Sequence, residues 1–142
     1  MIALILFLVI IMLDQLTKYA VRSSLAVGEN IPLLPFLSLT HVQNTGAAFG
    51  LFKDMQLVLS IVSLAVLGLV IFFYVREDSR HMQYSFALFT GGIVGNLVER
   101  VFRGAVTDFI ALPYWPAFNV ADSAITLSVL AMIYFVVVRK ED

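Results

Sequence analysis

Four stretches of mostly apolar residues, roughly 1–20, 55–75, 83–102 and 118–138, constrain this chain more than anything else in it. A helix needs about 20 such residues to cross the hydrocarbon core of a bilayer. The composition agrees: 61% of the 142 residues are hydrophobic, against about 45–50% in an ordinary soluble protein. With a mean hydropathy of +0.95, the chain reads as one integral membrane domain over residues 1–142, an all-α membrane protein with four transmembrane helices. Tyr19, Tyr74, Tyr84 and the pair Tyr114–Trp115 stand at or just outside the ends of these spans, as an interfacial aromatic belt requires.

Several classes fall away at once. A net charge of −1 gives no footprint for a nucleic-acid partner or a polybasic membrane-surface binder. The chain has no cysteine, which removes disulfides, thiolate metal sites and a Cys nucleophile. His41 and His81 lie in separate polar connections without companion ligands, so no metal site is expected. Met1 to Leu13 resembles the apolar core of a secretory signal peptide. However, no basic residue precedes it, and Asp14 to Lys18 stands where a small-residue cleavage site belongs. It reads as the first half of a retained helix.

Two connections are too long to be turns. Residues 22–54 contain Pro32 and Pro35, followed by the partly alternating run Phe36-Leu37-Ser38-Leu39-Thr40-His41-Val42, which favours short strands. Residues 103–117 also read as extended and end at Pro113 and Pro116. With four spans both connections emerge on the same side, where they would form a small β platform capping the bundle. Arg76 to His81 makes a short polar turn between the second and third helices, and Arg139 to Asp142 a polar tail. Basic residues are too evenly divided between the two sides to fix the orientation.

The polar residues that such a chain tolerates are the ones to explain. An ionisable group at mid-bilayer costs at least about 2.5–3.5 kcal/mol, so it defaults to a functional reading. Asp14 and Lys18, four apart on one helix face, read first as an ion pair that lets both charges enter the membrane. Gly91 and Gly95 have the spacing that permits close helix approach. Asn96 and Arg100 share a face just beyond, and Arg100, shortly ahead of Asp108, is suited to orient a carboxylate. Asn44-Thr45-Gly46 reads as a turn whose small residues admit close backbone approach to a ligand. Asp108 and Asp122, with Asn119 three residues before the latter, form the strongest pair. Two neighbouring carboxylates share a proton and can hold one water between base and acid, as in aspartic proteases. Equally, Asp108 could be a solvated loop residue and Asp122 a helix N-terminal acid favoured by the dipole.

In order, Asp14-Gln15-Leu16-Thr17-Lys18, Asn44-Thr45-Gly46-Ala47-Ala48-Phe49-Gly50, Gly95-Asn96-Leu97-Val98-Glu99-Arg100, Val106-Thr107-Asp108-Phe109 and Phe118-Asn119-Val120-Ala121-Asp122-Ser123 resemble the lipoprotein signal peptidase (signal peptidase II) family. The resemblance implies an aspartic endopeptidase of the bacterial cytoplasmic (inner) membrane, multi-pass, with both termini cytoplasmic. Its active site would lie near the outer face. It implies Asp108 and Asp122 as the catalytic dyad, with Asp14, Lys18, Asn44, Gly46, Asn96, Arg100 and Asn119 binding substrate or supporting the dyad. It implies as substrate a diacylglyceryl prolipoprotein, cleaved just before the lipidated cysteine, with no cofactor, with membrane lipid around it, and with the chain a monomer. Two positions depart from the family pattern: Glu99 stands where Asp is more usual, and Thr107 where an aliphatic residue is usual. The rival readings are a small proton-coupled transporter that uses Asp14 alone, and a structural subunit whose charges pair with partner helices.

Overall fold

The computed structural model describes residues 1–46 and 55–137. Residues 47–50 of the turn motif, Lys53, Asp54 and the polar tail 139–142 lie outside the described residues. The described chain forms helices α1 (Ile2–Ser24), α2 (Gln56–Tyr74), α3 (Arg80–Arg103) and α4 (Val120–Val137), and strands β1 (Asn30–Leu34), β2 (Leu37–Asn44), β3 (Val106–Leu112) and β4 (Trp115–Phe118). The strands make one antiparallel sheet in the order β1-β2-β3-β4. Both long connections therefore supply strands, as their alternation and prolines predict. They pair with each other through β2 and β3, with Val42 opposite Asp108 and Asn44 opposite Val106.

Of the four helices, three are long and apolar enough to cross a membrane: α1, α2 and α4. The sequence reading counts four. The difference lies in α3, whose central stretch is diluted by Ser85, Thr90, Gly91, Gly92, Gly95 and Asn96. The packing supplies the reason. α3 touches α1, α2 and α4, so several of its faces meet protein rather than the surroundings and need small residues instead of bulky apolar ones. Leu4, Leu8 and Leu16 on α1, Leu57 and Leu64 on α2, and Leu127 and Ile133 on α4 are instead more than half exposed. The polar turn ahead of α3 ends at Ser79, whose hydroxyl accepts the Met82 N–H. At the other end Gly104 closes α3 in the left-handed region (φ 71°), which costs a glycine nothing.

The glycines mark where helices meet. A Cβ on Gly91 would lie 3.1 Å from the Phe7 carbonyl oxygen of α1. On Gly95 it would lie 2.7 Å from the Asp14 carboxylate, and on Gly92 2.5 Å from the Ala121 carbonyl oxygen of α4. Adjacent glycines thus serve two different helices. At the sheet end, Val21 of α1 and Leu25 just after it pack with Phe109 of β3, flanked by Leu39, Ile110 and Val120. This small core fastens the sheet to the bundle beside the start of α4.

Gly92→Ala is expected to force α3 and α4 apart, because the added methyl meets backbone and Ile125 Cγ1 at 2.7 Å rather than a flexible tip. Overpacking of this kind costs about 1–3 kcal/mol. Gly68→Ala on α2, where a Cβ meets nothing within 4 Å, should leave stability unchanged or slightly higher. Thermal unfolding in detergent compares the two; equal melting temperatures would contradict the α3–α4 packing.

Candidate active site

The site is built on the first turn of α4. A helix leaves its first N–H groups without partners, and here two side chains of the same turn supply them reciprocally. Asn119 Oδ1 accepts the Asp122 N–H at 2.9 Å, while Asp122 Oδ2 accepts the Asn119 N–H at 3.2 Å. This is a capping box. It answers one question left open by the sequence: Asp122 is indeed a helix N-terminal acid, and the same geometry turns its carboxylate toward the cavity. The next N–H, that of Ala121, donates to Asp14 Oδ1 of α1 at 2.9 Å.

Asp108 comes from the other direction, on β3, and is 2% exposed. It is not a solvated loop residue. Each of its oxygens accepts from an amide: Oδ1 from Asn119 Nδ2 at 2.6 Å and Oδ2 from Asn44 Nδ2 at 2.9 Å. Asn44 lies diagonally across the β2–β3 pair on the same face, and the Gly46 N–H fixes its own carbonyl oxygen at 3.0 Å. Burial, reinforced by the charge of Asp122, pushes the Asp108 carboxyl up from 3.8 to about 7, against the pull of Asn44, Asn119 and Lys18. Asp108 and Asp122 line one cavity of about 800 Å³, together with Asn44, Gly46 and Arg100. Its remaining wall is largely apolar, with Leu112, Trp115, Phe118, Ile125 and Leu127.

Asp14, Lys18, Asn96 and Asn119 stand behind this wall rather than in it. Lys18 Nζ bonds Asp14 Oδ2 at 2.7 Å, with both side chains wholly buried, so the i, i+4 ion pair expected from the spacing is present. The same ammonium donates to Asn96 Oδ1 at 2.8 Å, and Asn96 Nδ2 donates to Asp122 Oδ1 at 2.8 Å. Asn119 Nδ2 also lies 3.1 Å from Asn96 Oδ1. The residues expected around the two carboxylates are therefore one hydrogen-bonded network. Its members either contact Asp108 or Asp122 or reach them through one or two side chains.

Arg100 is the exception. The sequence reading has it orienting Asp108, but its hydrogen bond goes to Ser63 Oγ of α2 at 3.4 Å, and its buried Nε has no partner among the described residues. The four carboxylate oxygens accept instead from the side chains of Asn44, Asn96 and Asn119 and from the Asn119 backbone N–H. Arg100 reaches the cavity as a charge that acts on both carboxylates without binding either.

Sequence reasoning names Glu99 only as a departure from the family pattern and gives it no role. It is 1% exposed and accepts from Arg22, from the Thr107 N–H at 2.6 Å and from Thr107 Oγ1 at 3.1 Å. The two positions that depart from the family pattern thus touch each other. A signal was available: Asp14, Lys18 and Arg22 follow at four-residue steps along α1, one acid facing two bases. A buried stripe so unbalanced calls for a second acid from another helix.

Residues 6–138 match the family described as Signal peptidase (SPase) II. A protein of Thermodesulfovibrio yellowstonii named lipoprotein signal peptidase is 40% identical over 130 residues, 88% of this chain and 87% of its own. One of the same name from Halalkalibacterium halodurans is 41% identical over 150 residues, 99% and 94% of the two chains. Two solved bacterial membrane enzymes share the fold. The first has a TM-score of 0.90 at 28% identity, covering 94% of this chain and 86% of its own. The second has a TM-score of 0.88 at 28% identity, covering 95% and 92%. Two carboxylates lining one cavity, five motifs in order and close relatives along almost the whole length lead to one conclusion: this chain belongs to the signal peptidase II family.

Proposed function

We propose that this membrane peptidase removes the signal peptide from diacylglyceryl-modified prolipoproteins, cutting just before the lipidated cysteine, with Asp108 and Asp122 as its catalytic dyad. The observation that carries the reading is that both carboxylates line one cavity while the amides of Asn44, Asn96 and Asn119 hold them there. A water between them would lose its proton to Asp122. Asp108, which holds its proton to about 7, would donate to the scissile carbonyl oxygen or the leaving amine. The apolar cavity wall would accept the substrate's lipid chains and signal helix from the bilayer. The transporter reading has no comparable support, since Asp14 is wholly buried and committed to Lys18, Gln15 and the α4 N-terminus.

In this reading all four helices span the bacterial inner membrane, both termini are cytoplasmic, the sheet lies at the outer face, and the chain works as a monomer. The outer position follows from the reaction, because a translocated substrate presents its lipidated cysteine there. A cysteine introduced at Asp78 should then react with a membrane-impermeant reagent only from the cytoplasmic side. One introduced at Tyr114, in the fully exposed turn between β3 and β4, should react only from the outside. Labelling of both from one side would break the four-span arrangement.

Asn is nearly isosteric with Asp but carries neither the proton nor the charge. Asp108→Asn and Asp122→Asn should each fold yet lose cleavage of a diacylglyceryl prolipoprotein by about 10²–10⁴-fold or more. Acting as one unit, they make the double variant scarcely worse than either single one. Substantial cleavage by either variant sinks the dyad.

The raised Asp108 value also sets a pH dependence. The folded state holds this proton more tightly than the unfolded chain, so its stabilising contribution is complete below about 3.8 and lost as pH rises through about 7. Melting temperatures measured from pH 4 to 8 should fall with pH in the parent and less steeply in Asp108→Asn. Cleavage, which needs the shared proton, should decline as pH rises past about 7.

A further inference from the structure

Thr107 immediately precedes Asp108, and its backbone is held in an unusual way. On one side β3 pairs with β2, with Thr107 opposite Gln43. On the other side β4 begins its pairing only at Ile110. A strand residue's N–H and C=O point to the same edge. At Thr107 that edge is taken by two side chains in place of a strand: Glu99 Oε2 accepts the N–H at 2.6 Å, and Asn119 Nδ2 donates to the C=O at 3.3 Å. Glu99 is in turn fixed by Arg22 and lies 3.8 Å from Lys18 Nζ. That ammonium holds Asn96, which holds Asp122.

From this we infer that Glu99 is a positioning residue for the reaction, holding the β3 backbone so that Asp108 meets Asp122 across the cavity. The inference rests on the dyad reading above. Glu99 does not line the cavity; it acts through the Thr107 peptide on one carboxylate and through Lys18 and Asn96 on the other. Among the described residues no strand pairs with this end of β3 on its β4 side, so without Glu99 the Thr107 N–H loses its acceptor and the Asp108 side chain its register.

Misplacement of a reacting group by about 1 Å costs up to about 10²-fold in rate. Glu99→Ala in the full chain, assayed on a diacylglyceryl prolipoprotein in lipid-containing micelles, should therefore lower kcat by about 10- to 100-fold with KM within about two-fold. Glu99→Gln, which keeps an acceptor for the Thr107 N–H, should restore most of that kcat. Because Glu99→Ala strands Arg22, the charge-neutral Glu99→Leu/Arg22→Leu is the companion variant that keeps both volumes without leaving a lone buried charge. It should show the same kcat loss in the folded enzyme. A folded Glu99→Ala or double Leu variant with parental kcat overturns the role of Glu99, as does a loss confined to KM or to melting temperature. Asp108→Asn, run alongside, separates this from failure of the dyad: an inactive Asp108→Asn beside a fully active Glu99→Ala removes only the positioning role.

Discussion

The first turn of α4 is the constraint on which the rest depends. A buried helix N-terminus presents N–H groups that cost about 1–3 kcal/mol each if left unsatisfied. This one is closed by Asn119 and Asp122 from its own turn and by Asp14 from α1. A single turn thereby locks α1 to α4, places Asp122 at the cavity and leaves the Asn119 amide nitrogen free to reach Asp108. The structural and chemical readings of these residues are not alternatives. The cap is what gives the carboxylates their geometry.

The cap in turn requires charge balance. Asp14 is wholly buried, and Lys18 lies against it at 2.7 Å. Lys18 and Arg22 together then need Glu99. Removing one member of such a buried set costs about 3–5 kcal/mol, because the remaining charge stays behind. The result is two acids and two bases shared between α1 and α3. From it the amides of Asn96 and Asn119 carry the arrangement on to Asp108 and Asp122. The network explains why so many polar residues survive in a chain so apolar.

Helix α3 makes this possible by being small. Gly91 and Gly95 face α1 and Gly92 faces α4, so the three helices approach closely enough for short side chains to bond across them, Asn96 to Asp122 and Asp14 to the Ala121 N–H. Bulkier residues there would leave the amide and carboxylate groups too far apart to bond. The same dilution keeps α3 out of the set of helices apolar enough to cross a membrane on composition. Its neighbours on three sides, rather than its own hydropathy, keep it buried.

By itself the sequence determined the helices, because apolar runs of spanning length have few other solutions. It determined the strands of both long connections through Pro placement and alternation. It also determined the Asp14–Lys18 pair, since i, i+4 spacing is local geometry. The five motifs marked Asp108 and Asp122 as partners, but local spacing could not say whether Asp108 was buried or solvated. Only the tertiary structure decided what lies opposite what. Asp14 turned out to cap α4, Arg100 to bond Ser63 instead of Asp108, and Glu99 to hold the Thr107 backbone. The first two contacts join residues far apart in the chain on different helices, and the third joins a helix to the strand that follows it. Their geometry depends on how closely α1, α3 and α4 pack, and no periodicity within one segment carries that information.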